Sequence, residues 1–254
     1  MIYDVQKAGL LKRISAYIFD VILLLVAATG IAFLLSVLFR YDATVDSHAV
    51  LQQSYEAQYG VSFDLTAEEF NAMDEGQQLY LNQAYAAFKT DPEVARLDSL
   101  LINLILLISS LSILTAYLAL EFLIPLKLGN GQTIGKKIFG IAVMRVDGVR
   151  LTPMLLFIRT ILGKYTLETM LPLFLIFVLT LGTMPLACIL GLGILAVTQA
   201  ALLLAKPLRT PIHEAISATV SVDLASQLIF ETPDDLLAYK KQLHAQEAER
   251  AEYK

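Results

Sequence analysis

Cysteine occurs once in this chain and histidine only three times. The lone Cys188 lies in an apolar stretch, which excludes a disulfide framework, a resolving thiol and a Cys/His metal set, and leaves it as a small apolar filler. His48 and His244 stand far from His213, and no second His or Cys flanks His213-Glu214 at a metal-ligand spacing. The glycine-rich segment 129–140 has neither a Walker spacing nor G-x-G-x-x-G, and neither G-x-S-x-G nor H-E-x-x-H occurs anywhere. These absences argue against nucleotide-binding, hydrolase and metalloprotease chemistry, so no enzyme activity, metal or cofactor is expected. No internal repeat is visible, so the inverted-repeat logic of large secondary transporters finds no support.

Charge is scarce as well. Charged residues make up 17% of the chain, against roughly 25% in soluble domains. Hydrophobic residues reach 56% and the mean hydropathy is +0.62, the composition of a protein whose partner is the lipid bilayer. Three stretches carry no charge at all, 21–39, 99–120 and 169–205, and a membrane-crossing helix needs about 20 apolar residues. The third is long enough to cross twice, with Gly182, Thr183, Met184 and Pro185 as the turn. Four spans are therefore expected, near 13–38, 99–123, 166–181 and 184–205. The first apolar run is too long for a signal peptide and is interrupted by Asp20, so it is expected to persist as an uncleaved span.

The charges that exist are unevenly placed. Lys7, Lys12 and Arg13 precede the first span, and Lys127, Lys136, Lys137, Arg145, Arg150, Arg159 and Lys164 stand between the second and third against only Asp147. The segment 40–98 has three basic residues and eleven acidic ones, a net of −8. The positive-inside bias then places both termini in the cytoplasm and the acidic segment outside, with Lys206 and Arg209 following the last span on the inner side. The overall charge of −5 sits in that acidic segment and gives no reason to expect nucleic acid as a partner.

The expected fold is an all-α membrane protein of about four spans, with an extracellular helical insert and a small cytoplasmic element of β-strand and amphipathic helix. Its parts are 1–40 (N-terminus and first span), 41–98 (acidic insert), 99–231 (remaining spans and cytoplasmic elements) and 232–254 (helical tail). Thr66 and Glu69 have capping-box spacing in the insert, and Tyr55, Tyr59, Tyr80 and Tyr85 suit a small cap or an interface. Between spans two and three, 141–146 reads as a strand ending in the Asp147-Gly148 turn, and 219–223 as a strand able to pair with it. Thr152-Pro153 opens an amphipathic surface helix, 154–163, whose Arg159 and Lys164 suit an anionic leaflet. Thr232-Pro233 opens the tail helix.

Arg13 and Asp20 are the most informative pair. A charge at membrane depth costs roughly 2.5–3.5 kcal/mol on insertion scales, so it needs a partner or a task. Seven residues put the two on one helix face, about 10 Å apart along the axis; a direct bond needs both side chains to reach, and sharing a water, a backbone group or a third partner is expected instead. One reading is a buried polar network that fixes helix packing. The other is a titrating or ion-binding site. Glu121 and Glu168, at the ends of spans two and three, are candidate partners, and Asn103 is polar at depth in span two, as interhelical glue or as part of that network.

These residues together resemble the RDD family of membrane proteins. The resemblance rests on Arg13 and Asp20, on Asn130-Gly131-Gln132-Thr133-Ile134-Gly135-Lys136-Lys137-Ile138-Phe139-Gly140-Ile141, and on Ile212-His213-Glu214 with Thr219-Val220-Ser221-Val222-Asp223. The family's second Asp follows its His, where this chain has Glu214, one methylene longer. The resemblance implies a plasma-membrane protein with several helical spans, for which ligand transport is suspected and sodium/proton exchange has been proposed for some members. It directs attention to Arg13, Asp20, His213 and Glu214 as the ligand or proton network.

Two function classes follow. One is a small-solute or cation/proton transporter with Asp20 titrating, Arg13 tuning it and Glu214 as a second carboxylate. Four spans make a small pathway, so a homo-oligomer is expected. The other is a noncatalytic scaffold or assembly factor that docks partners on the cytoplasmic strands and the tail helix.

Overall fold

The computed structural model describes residues 5–204 and 210–252. Lys206 and Arg209 lie outside the described residues. In chain order the elements are α1 (Leu10–Leu38), α2 (Tyr41–Tyr59), α3 (Ala67–Ala72), α4 (Glu75–Thr90), α5 (Pro92–Leu128), α6 (Ile134–Ile138), β1 (Ile141–Arg145), α7 (Pro153–Thr180), α8 (Pro185–Leu204), α9 (Ile212–Ile216), β2 (Thr219–Asp223) and α10 (Pro233–Glu252). Four of these, α1, α5, α7 and α8, are long and apolar enough to cross a membrane. Their outward side chains are large and apolar, with Phe33 67% and Val197 69% exposed, a surface that water would penalise and lipid tails solvate. The protein is a multi-pass membrane protein.

Local chemistry sets the boundaries. Thr152 accepts a hydrogen bond from Leu155 N at 3.3 Å and Pro153 occupies the first helical position, where its missing N–H costs nothing. Asp91 accepts from Glu93 N at 2.7 Å at the start of α5. In α10 the Thr232 hydroxyl accepts from Asp235 N at 3.2 Å, and the Asp235 carboxylate reaches back to Thr232 N at 3.0 Å.

The chain divides into two compact units, 29–112 and 1–28 with 113–254. The first contains α2 to α4. Both short helices start with reciprocal caps, Thr66 with Glu69 and Asp74 with Gln77. Leu81, Ala84, Phe88, Val94 and Leu97 are buried, and Phe88 packs against the rings of Tyr55, Phe63 and Tyr85 at 5.5, 5.5 and 6.3 Å. The Tyr55 hydroxyl donates to Asp91 at 2.7 Å.

The second unit is built around an antiparallel ladder in which Ile141 faces Asp223 and Arg145 faces Thr219. Ala142, Met144, Val220 and Val222 form one cluster, each at most 1% exposed. Ile141 packs with Ala8 and Ala16 on the other side. The segment before α1 runs beside β2, with Asp223 N donating to Gln6 O at 3.0 Å. The Asp147-Gly148 turn carries the chain back so that Arg145 N reaches Val149 O at 2.9 Å.

One expectation is corrected. No separate surface helix covers 154–163: α7 is continuous from Pro153 to Thr180. Within it Ile158–Met170 is π-helical, as is Leu118–Leu123 within α5. Arg159 is 3% and Lys164 7% exposed, so both are turned into the protein rather than toward an anionic leaflet.

Gly135 brings α6 against α1. A Cβ there would lie 2.5 Å from the Ala16 carbonyl oxygen and 2.8 Å from Asp20 Oδ1. Gly135→Ala should therefore lower stability by about 1–3 kcal/mol, the usual cost of overpacking. Gly193→Ala, with nothing within 4 Å of the added atom, is the matched control in detergent melting curves, and equal curves for the two variants would refute the contact.

Candidate functional site

The second unit borders a partly open cavity of about 700 Å³. Five cationic side chains, Lys7, Arg13, Lys136, Arg159 and Lys164, and three carboxylates, Asp20, Glu168 and Glu214, contribute to its lining. Charges this close together, several of them buried, are stable only if they find partners, and most of them do.

Glu214 is 2% exposed and is held from three elements. Its Oε1 accepts from Arg159 Nη2 at 3.1 Å and from the Ser221 hydroxyl. Its Oε2 makes no hydrogen bond and faces Arg13 Nη2 at 3.5 Å. Burial alone would raise the Glu214 pKa, but the Arg159 and Arg13 charges and the Ser221 hydroxyl outweigh it and hold the carboxyl below its usual value. Arg159 uses its other arm to donate to Thr219 Oγ1 at 2.6 Å, tying α7 to β2.

His213, the preceding residue, faces the opposite way. Its Nδ1 lies 2.8 Å from Glu168 Oε2 and its backbone N–H donates to Glu168 Oε1 at 3.0 Å. Because a carboxylate accepts, Nδ1 carries the proton. Burial, then the charges of Arg159, Lys164, Lys136 and Arg13, push the His213 pKa well down, so the ring is neutral near pH 7. α9 approaches α7 this closely because residue 163 is glycine: a Cβ there would meet His213 Cβ at 2.6 Å.

Asp20 turns away from Arg13. It accepts from the Thr133 hydroxyl at 2.5 Å and from Gly135 N–H at 2.8 Å. The carboxylate thus latches the first turn of α6 onto α1, while Arg13 reaches Glu214, so the two residues line one cavity through different partners. Glu121, on the π-helical turn of α5, pairs with Lys164 at 2.5 Å, and its carbonyl accepts from Thr160 at 3.0 Å. Asn103 belongs to the other unit, is exposed, and makes no side-chain hydrogen bond among the described residues.

Arg13, Asp20, His213, Glu214 and Glu168 thus come together around the cavity, with Glu121 behind it. Sequence reading assigned Arg159 and Lys164 to a surface helix. An α-helical wheel sets residues five apart on different faces, whereas the i→i+5 bonding of a π-helix stacks them. The signal available was chemical: two basic residues beside a span containing Glu168.

The RDD family matches residues 7–213. The chain belongs to the RDD family. The match ends at His213, so Glu214 and the strand β2 that holds it lie past its end. No curated protein and no solved structure matched the chain. Among the described residues, no group of three or more His, Cys, Asp or Glu is arranged to hold a metal ion.

Lys136 is the exception to the pairing of charges. The residue lines the cavity, and its ammonium makes no hydrogen bond or ion pair among the described residues. Burial and then the Lys164 charge push its pKa down to about 7, with Glu121 and Asp20 offsetting part of the effect and Arg159 adding to it.

Two outcomes are expected. Glu214→Ala leaves the Arg159 and Arg13 charges without their carboxylate and should cost about 3–5 kcal/mol; urea or thermal unfolding in detergent reads it, and a loss no greater than that of a surface substitution refutes the network. Competitive acylation with a membrane-permeant anhydride, read by mass spectrometry, should titrate Lys136 with a midpoint of about 7 rather than the ordinary 10.5.

Proposed function

We propose that this RDD-family protein binds a small charged solute in the cavity between α1, α6, α7, α8 and α9 and moves it across the plasma membrane. The observation that carries this reading is a space of about 700 Å³, within the range of about 300–1,000 Å³ usual for ligand sites, bordered by charged groups from several elements. A network serving packing alone would close on itself, because empty space beside buried charges forfeits both contacts and pairing. The positive-inside bias supports cytoplasmic termini and an extracellular 41–98 insert. Four spans favour a homo-oligomer, since so few helices enclose little on their own.

Sodium/proton exchange would require a carboxylate that trades a proton for a cation, with Asp20 as the first candidate. The Asp20 oxygens already accept from Thr133 and Gly135, which suits a latch better than an exchanging site. We therefore assign Asp20 to positioning α6, and Arg13, Lys136, Arg159 and Glu214 to the solute chamber, with His213 and Glu168 as its wall.

Flux in proteoliposomes tests this. Wild-type protein should carry at least one of sodium, a small carboxylate or inorganic phosphate along an imposed gradient, and Glu214→Gln should reduce that flux by about tenfold or more while leaving the far-ultraviolet dichroism of the helices in place. Wild-type vesicles that pass none of these solutes faster than empty ones would remove the transport reading and leave the scaffold reading.

A further inference from the structure

We infer that the chamber recognises an oxyanion, a phosphate or carboxylate group, and that Lys136 is the residue that receives it. The inference deepens the transport reading above and rests on it for the chamber's role, though not for binding itself. The hydrogen-bonding groups left unused around the cavity are mostly donors.

Most carboxylate oxygens around the cavity already accept a hydrogen bond, Glu214 Oε2 being the exception. Both Asp20 oxygens take donors from the 133–135 turn, and both Glu168 oxygens take donors from His213. Glu214 Oε1 takes two donors, and its Oε2, which accepts no hydrogen bond, faces the Arg13 guanidinium at 3.5 Å. A cation entering the chamber would meet five cationic side chains against three carboxylates.

The donors are in surplus. Lys136 lines the cavity, and its ammonium, with three N–H groups, has no partner among the described residues. The guanidinium of Arg13 has no hydrogen-bond acceptor, only its ion pair with Glu214. The groups that face Lys136 are Lys164 and Arg159 of α7, Glu121 of α5 and Asp20 of α1. Lys164 and Arg159 are already committed to Glu121 and Glu214. An oxyanion placed beside Lys136 relieves the repulsion among these cations and fills unused donors at once, with charge-assisted bonds that are about twice as strong as neutral ones. The mouth of the same cavity has apolar side chains, Leu10 71% and Tyr17 63% exposed, so the oxyanion's source is either a free small anion or the headgroup of an anionic amphiphile.

Binding to the full-length protein in a nonionic, maltoside-type detergent tests the inference without any gradient. The probes are inorganic phosphate and short-chain phosphatidic acid, with short-chain phosphatidylcholine as the uncharged-headgroup control. At least one anionic probe should bind saturably and more tightly than the control. Lys136→Gln should weaken it by about tenfold or more, the loss expected for one hydrogen bond to a charged group. Lys136→Arg should restore most of it, and Lys137→Gln, on the exposed next residue, should leave it unchanged. Melting of Lys136→Gln should be no lower than wild type, because the substitution removes a crowded positive charge. Competition by both anions identifies a free oxyanion, and binding of phosphatidic acid alone identifies a headgroup. Binding of neither anion above the control, or equal binding by Lys136→Gln, overturns the inference. A protein that carries sodium but binds neither anion overturns this inference alone, and one that binds an oxyanion without carrying any solute overturns only the transport reading.

Discussion

A carboxylate only 2% exposed, set between two guanidinium groups, is the constraint on which the rest of the second unit depends. Removing Glu214 and Arg159 from water costs several kcal/mol per ion, and only good geometry with further hydrogen bonds recovers it. Ser221 and Thr219 supply those bonds from β2, and Arg13 supplies a second charge from α1. The pairing is therefore satisfied only when α1, α7, α9 and β2 are all in place. That requirement makes the unit cooperative and explains why a two-stranded ladder, marginal by itself in water, persists against these helices.

The Asp20 latch works on a smaller scale. A carboxylate on α1 satisfies N–H and O–H groups at the start of α6, and a residue without a side chain at 135 lets the two backbones approach. The same device recurs at Gly163, where α7 admits α9. Both contacts deliver charged residues to the cavity: Lys136 follows one glycine directly, and His213 and Glu214 meet the other. Close backbone approach and charge placement are thus coupled at both contacts.

Much of the plan was legible in the residues. Long uncharged runs locate four spans because hydrocarbon selects against charge over a fixed thickness. Thr66 with Glu69, and Thr232 with Asp235, mark helix starts because their side chains satisfy N–H groups that the helix leaves unpaired. Arg13, Asp20, His213 and Glu214 stood out because charge in or beside apolar sequence demands an explanation. Arg159 and Lys164 did not, because basic residues in an amphipathic pattern between two spans read equally well as a membrane-surface helix.

Sequence alone determined where the chain is apolar, where helices begin and which charges are costly, since these follow from transfer free energies and local hydrogen bonding. Tertiary structure alone decided which charges meet. Arg13 pairs with Glu214 across about 200 residues, and Asp20 turns to Thr133 and Gly135 instead of to the arginine seven positions away. Arg159 and Lys164 line one cavity from a π-helical stretch, whose wider turn brings residues five apart closer to one side. Pair energies between distant residues depend on distance and burial, and neither quantity exists until the helices have packed.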